Sequence, residues 1–169
     1  MGLTQKNFLN YILGIAILSG IARVALDYLS RILELSPILY YSTFLIAFIL
    51  EIWVIIFVIK KYKETKSTLT IFDALKTGII IMGVIGICYC TMAYIYDTYI
   101  DPDFVSNTTI RFTEQFSPEQ LDQVKENLKN QDTSKSYFGV IMYTIYFLFL
   151  GAVISLIAGA VFKTKVAST

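Results

Sequence analysis

One stretch constrains this chain more than any other: the apolar run from Phe8 to Arg31, which carries charges in its second half. Its first part has the length and composition of a membrane-spanning helix, which needs about 20 mostly apolar residues. Arg23, Asp27 and Arg31 then follow at i, i+4 and i+8. That spacing places all three on one helical stripe with alternating sign. Ser19 continues the stripe toward the N-terminus and Glu34 extends it the other way. In lipid such a stripe is costly unless it faces other helices or water. The helix therefore requires a bundle, and the remaining apolar segments must supply it.

They do so by composition. Of the 169 residues, 56% are hydrophobic and only 16% charged, against about 25% charged in a soluble domain. Spans are expected over 8–30, 37–59, 77–99 and 137–162, with a loop over 101–136. The expected fold class is all-α: a single polytopic domain over 1–169, four transmembrane helices in an antiparallel bundle. A short amphipathic helix is expected in the loop between the third and fourth spans. Ser36-Pro37 marks a helix start, with Pro at the first helical position, so the first two spans form a hairpin. The third helix is expected to begin with a short interfacial turn over 71–75 ahead of the span, and its Gly78, Gly83 and Gly86 admit a close neighbour. It ends in tyrosines of the kind found at membrane interfaces, followed by Asp101-Pro102-Asp103-Phe104. Asp101 is placed to cap a following helix, with Pro102 at its first position. Ser117-Pro118-Glu119-Gln120 reads as a capping box, and Leu121, Val124 and Leu128 give 118–129 a thin apolar stripe, as in a lid. Phe104, Phe112 and Phe116 form a second such stripe. In the last span Gly151, Ser155 and Gly159 form a doubled small-xxx-small face, suited to packing within the bundle or to a dimer.

Basic residues give the orientation. Lys6, Lys60, Lys61, Lys63, Lys66, Lys76, Lys163 and Lys165 share one side, while the 101–136 loop holds four basic and seven acidic residues. The positive-inside rule puts both termini in the cytoplasm and the loop outside the bacterial inner membrane. The first run lacks a cleavage site and is expected to remain as a signal anchor.

Several function classes fall away. A net charge of +1 offers nothing to nucleic acid. There is no histidine, which removes the commonest general base and metal ligand. Cys88 and Cys90 lie on nearly opposite sides of a helix and read as packing residues. No nucleophile-and-base pair, metal spacing or phosphate-cradling loop is present, and no cofactor is implied. The polar residues inside the membrane remain. Arg23 lies about 10 Å below the outer surface, and Asp97 is at a similar depth, so Arg23 or Arg31 is expected to meet Asp97 with Asp27 between the arginines. The cluster is either a structural ion-pair frame or a polar cavity holding an anionic ligand or headgroup. Glu51 stands roughly 13 Å from the other surface, with no basic residue evident at its depth. It is either a bland buried carboxyl or a protonation site.

The run Tyr94-Ile-Tyr-Asp-Thr-Tyr-Ile-Asp-Pro-Asp-Phe104, the Ser117-Pro118-Glu119-Gln120 helix start and the Gly151–Ile157 pattern together resemble a family of small four-helix inner-membrane proteins of Bacteroidetes-type bacteria. That family is the domain of unknown function numbered 4199. The stretch Ser106-Asn-Thr-Thr109 departs from the family's charged, helical pattern at this point. The resemblance implies a fold and a location, and no activity or functional residues. The expected role is a non-catalytic accessory or scaffold subunit touching the bilayer and another inner-membrane protein or lipid headgroups. The alternative is a small homodimeric proton-coupled carrier using Glu51 and Arg23. An enzyme acting on membrane lipid ranks third, and its mark would be a polar cleft joining Arg23, Asp27 and Asp97.

Overall fold

The computed structural model describes residues 5–33, 35–65, 68–130 and 137–163. Glu34, Lys66, Lys165 and loop residues 131–136, all invoked above, lie outside the described residues. Four long helices are apolar enough to cross a membrane: α1 (Gln5–Ile32), α2 (Pro37–Thr65), α3 (Ile71–Ile95) and α6 (Tyr137–Phe162). Two short helices, α4 (Phe104–Phe116) and α5 (Leu121–Asn130), fill the loop between α3 and α6. The ends of the bundle are called here the loop end, beside α4, and the lysine end, beside Lys60 and Lys61.

Local chemistry moves several boundaries. The third helix begins at Ile71, as expected from the sequence, with 71–75 as its first turn. The Thr70 hydroxyl accepts from the Asp73 N–H at 3.1 Å, and the Asp73 carboxylate accepts from the Thr70 N–H at 3.2 Å. This reciprocal pair satisfies two donors that a helix start would otherwise leave open. α2 continues past residue 59 to Thr65, because its lysines and Glu64 are good helix formers once clear of the apolar zone. At the other end α3 widens into a π turn over Tyr96–Ile100, closed by the Asp101 N–H donating to the Tyr96 carbonyl at 2.9 Å.

The loop corrects two expectations. α4 starts at Phe104 and is flanked by Asp103, whose side chain makes no cap; Asp101 is not the capping residue. Ser117 forms no capping box either, and Pro118–Gln120 is a single 3-10 turn leading into α5. The turn closes through backbone alone, with the Gln120 N–H donating to the Ser117 carbonyl. The stretch Ser106-Asn-Thr-Thr109 is helical in spite of its departure from the family pattern. Leu121, Val124 and Leu128 are the half-buried face of α5, which rests chiefly on α4.

α3 is the centre of the bundle. It packs most extensively on α6, then on α1, while α2 lies across α1 and α6. Glycine makes the α3–α6 contact possible. A Cβ on Gly78 would stand 2.6 Å from the Gly151 carbonyl oxygen, and one on Gly151 would stand 2.6 Å from that of Gly78. A Cβ on Gly86 would meet Phe147 at 2.8 Å, and one on Gly159 would meet Ala74 at 2.8 Å. Ser155, fully buried, donates to the Gly151 carbonyl at 2.6 Å and so exposes no donor to lipid. The small face of α6 is therefore consumed inside the chain.

The two halves of the bundle differ in character. Toward the lysine end the core is apolar, with Phe8, Ile12, Ile55, Ile59, Ile81 and Met82 among its members. There α2 and α6 approach each other, with Lys60 Nζ 5.3 Å from the centre of the Phe162 ring. Toward the loop end the buried residues include Arg23, Asp27, Arg31 and Tyr40.

Gly151→Val forces overpacking at the closest backbone crossing, so a loss of about 1–3 kcal/mol is expected. Gly14→Ala, where a Cβ meets nothing within 4 Å, is expected to leave stability unchanged. Thermal unfolding of both variants in mild detergent checks the contrast.

Candidate functional site

The charged stripe of α1 divides into two tiers, eight residues or about 12 Å apart along the helix. The tier at the loop end is closed around Arg31. Its Nε donates to Asp27 at 2.7 Å, its Nη1 to Asp97 at 2.5 Å, and its Nη2 reaches the Tyr40 hydroxyl at 3.4 Å. The guanidinium carbon lies 4.7 Å from the Tyr96 ring centre and 4.8 Å from that of Phe104. Arg31 thus ties α1 to α2, to the π turn of α3 and to the first residue of α4. A planar fork with donors on both edges and two free faces suits this task, and lysine lacks all of these features. Phe104 gives the Asp101-Pro102-Asp103-Phe104 signature its visible purpose: the Pro-containing turn brings an aromatic face over the guanidinium. Asp27 uses one oxygen on Arg31, and its other, Oδ1, is buried without a partner among the described residues.

The deeper tier is looser. Arg23 Nη1 stands 3.3 Å from Glu51 Oε1. Glu51 therefore has a basic neighbour, contrary to the depth argument from the sequence. The reason is the antiparallel packing of α1 and α2. Side chains lean toward the N-terminus of their own helix, so Arg23 leans toward the lysine end and Glu51 toward the loop end. The lean closes a difference in height of about 7–8 Å. Three aromatic rings surround the Arg23 guanidinium: Tyr89 at 4.6 Å, Phe44 at 5.2 Å and Phe147 at 5.9 Å.

Beside this tier lies a cleft of about 940 Å³. Its walls are the loop-end halves of α2 (Tyr40, Tyr41, Phe44, Phe48, Glu51) and of α6 (Gly139 to Leu150). Its floor is α3, with Tyr89, Cys90 and Asp97, and Val105 and Thr108 of α4 roof it. The cleft is lined by α2 and α6, both of them long and apolar enough to span a membrane, and most of its exposed lining residues lie on these two helices. Tyr143 and Tyr146 line it and remain 67% and 56% exposed. Neither their hydroxyls nor that of Tyr41 meets a hydrogen-bond partner among the described residues. Arg23, Arg31, Glu51 and Asp97 line the cleft, whereas Asp27 turns toward Tyr28 and Met92 on the α1–α3 side. The cleft does not join the three residues an enzyme was expected to need.

The aromatic walls were not among the features expected from the sequence. The signal was present in the spacing of Tyr40, Tyr41, Phe44 and Phe48 on one side and of Tyr143, Tyr146 and Phe147 on the other. Aromatic residues in an apolar helix read as lipid-facing or core until the partner helix is known.

A four-span helical bundle with a buried charge frame and an aromatic-walled cleft defines a class of small polytopic membrane protein. Within that class, the chain belongs to the family described as "Protein of unknown function (DUF4199)", which it matches over residues 5–164. No curated protein and no solved structure matches it.

Arg31→Gln leaves two carboxylates facing each other in a buried site, and breaking such a pair costs about 3–5 kcal/mol. Arg31→Lys is expected to recover less than half of that loss, because an ammonium cannot bond three partners and stack on two rings. Thermal unfolding with both variants side by side is the check.

Proposed function

We propose that this protein is a non-catalytic subunit of the bacterial inner membrane that holds a membrane lipid in the cleft between α2 and α6. In this role it is an accessory or scaffold protein, and the lipid contact is what it contributes. The placement of the cleft carries the reading. A site of about 940 Å³ lies at the upper end of small-molecule pockets, and its exposed lining residues Tyr41, Tyr143 and Tyr146 belong to helices apolar enough to span a membrane, which supports an entrance from the hydrocarbon. Its polar groups are engaged with one another, Arg31 with Asp27 and Asp97, Arg23 with Glu51. None is poised as a nucleophile against a base. The lysines at the end of α2 and the start of α3 favour a cytoplasmic lysine end, with α4 and α5 outside. The cleft then belongs to the outer leaflet.

A second reading, a dimeric proton-coupled carrier, gains from the meeting of Arg23 and Glu51 within the cleft. There an incoming anion would compete with Glu51 for the same guanidinium. The consumption of the small face of α6 inside the chain weakens it, since that face was the natural dimer contact.

Mild-detergent purification followed by mass spectrometry of the bound lipid and protein separates the two. Stoichiometric lipid on a monomer, with or without a membrane partner, is the expected result. The lipid-holding reading is abandoned if the protein carries no lipid. In proteoliposomes Glu51→Gln is expected to change no proton-coupled flux, because the wild type should show none.

A further inference from the structure

The lipid-holding role proposed above is the premise for a narrower question, the chemistry of the lipid's polar end. Depth is the first constraint. Arg23 and Tyr146 each stand nine residues, about 14 Å, from the loop ends of their helices, and Glu51 about 21 Å from its own. A polar group that reaches them is well below the interface. Charge is the second constraint. Two guanidinium groups, Arg23 and Arg31, face three carboxyls, Asp27, Glu51 and Asp97. Fully ionised, the cluster is already negative by one charge. An anionic headgroup would add a second in a poorly screened place, which is expensive. An ammonium headgroup would need the aromatic faces around Glu51, and the Arg23 guanidinium occupies these already.

Hydrogen-bond sense is the third constraint. Arginine only donates. The hydroxyls of Tyr41, Tyr143 and Tyr146 are without partners among the described residues, and in hydrocarbon each keeps a donor unmatched. The acid of this tier, Glu51, is engaged through Oε1 by Arg23. Arg23 brings donors only and each of the three phenols has a proton to give, so neutral acceptors suit the site. Its walls are flat rings, on which another flat ring stacks well.

We propose that the cleft binds a lipid-soluble quinone, a neutral planar ring with carbonyl acceptors on opposite edges and an isoprenoid tail. One carbonyl accepts from Arg23, which keeps its contact with Glu51. The other accepts from the Tyr146 hydroxyl across the cleft. The ring lies against Phe48 and Phe147, and the tail leaves between α2 and α6 into the bilayer.

The test uses the full chain. Protein purified in mild detergent is extracted with organic solvent, and quinone and phospholipid per chain are quantified by chromatography. The stripped protein in micelles is then titrated with a short-chain prenylated naphthoquinone. The expected result is stoichiometric quinone on the wild type. Tyr146→Phe, which removes only an unpartnered hydroxyl and leaves the fold intact, is expected to weaken binding about fivefold, and Arg23→Gln about tenfold or more. Phospholipid retained without quinone overturns the inference and leaves the lipid-holding role standing. No lipid of any kind overturns both. Quinone affinity unchanged in a folded Tyr146→Phe protein also overturns the inference as placed here.

Discussion

Everything at the loop end of this molecule depends on one guanidinium. Arg31 is 4% exposed, and it cannot shed its charge. It must therefore be surrounded. The surroundings come from four separate elements: Asp27 on its own helix, Tyr40 on α2, Asp97 and Tyr96 in the π turn, and Phe104 at the start of α4. The π turn follows from this demand. A wider turn at Tyr96–Ile100 shifts the register of the side chains after Ile95, so that a tyrosine face and an aspartate edge both reach one group. A buried ion pair of this kind is weak as a source of stability compared with apolar packing, yet strong as a determinant of register. It fixes how α1, α2, α3 and α4 stand against one another.

The opposite end is held by different means. There glycine and serine let α3 and α6 meet at backbone distance, and interlocking isoleucines fill the remainder. Between a packed apolar base and a charged upper frame lies the cleft, lined by α2, α3 and α6. The cleft is thus a product of the two fastenings and needs no element of its own. Large aromatic side chains of α2 and α6 line it.

Much of this was legible in the residues. Four apolar runs of sufficient length fix four spans, and alternating charge at i, i+4, i+8 on the first run required polar partners elsewhere. Depth alone left Asp97 to either Arg23 or Arg31, and the fold gives it to Arg31. Arg23 and Glu51 could not be matched in this way. Depth counted from Cα positions ignores the lean of side chains along the helix, and two antiparallel helices double the error. The glycines of α3 announced a close neighbour without saying which, and only the fold joins them to the small face of α6. The loop misled because Ser-Pro-Glu-Gln and Asp-Pro-Asp satisfy the composition of a cap without its geometry. The backbone at Ser117 and at Asp103 satisfies its own groups instead. The cleft was the least legible feature, since it belongs to no local pattern and depends on how the helices pack.

The arrangement of partners along the chain bears on how the protein enters the membrane. Arg23 finds Glu51 28 residues later, and Arg31 finds Asp97 66 residues later. During synthesis the first segment therefore emerges with charges that nothing yet made can neutralise beyond Asp27. α2 arrives next, through a turn too short to let it wander, and offers Glu51. Arg31 waits until the third segment has been threaded completely. α1 on its own is a poor resident of the bilayer and becomes a good one only as its successors join it. The insertion machinery must then release these helices together, or hold the first at its flank until the third is in place.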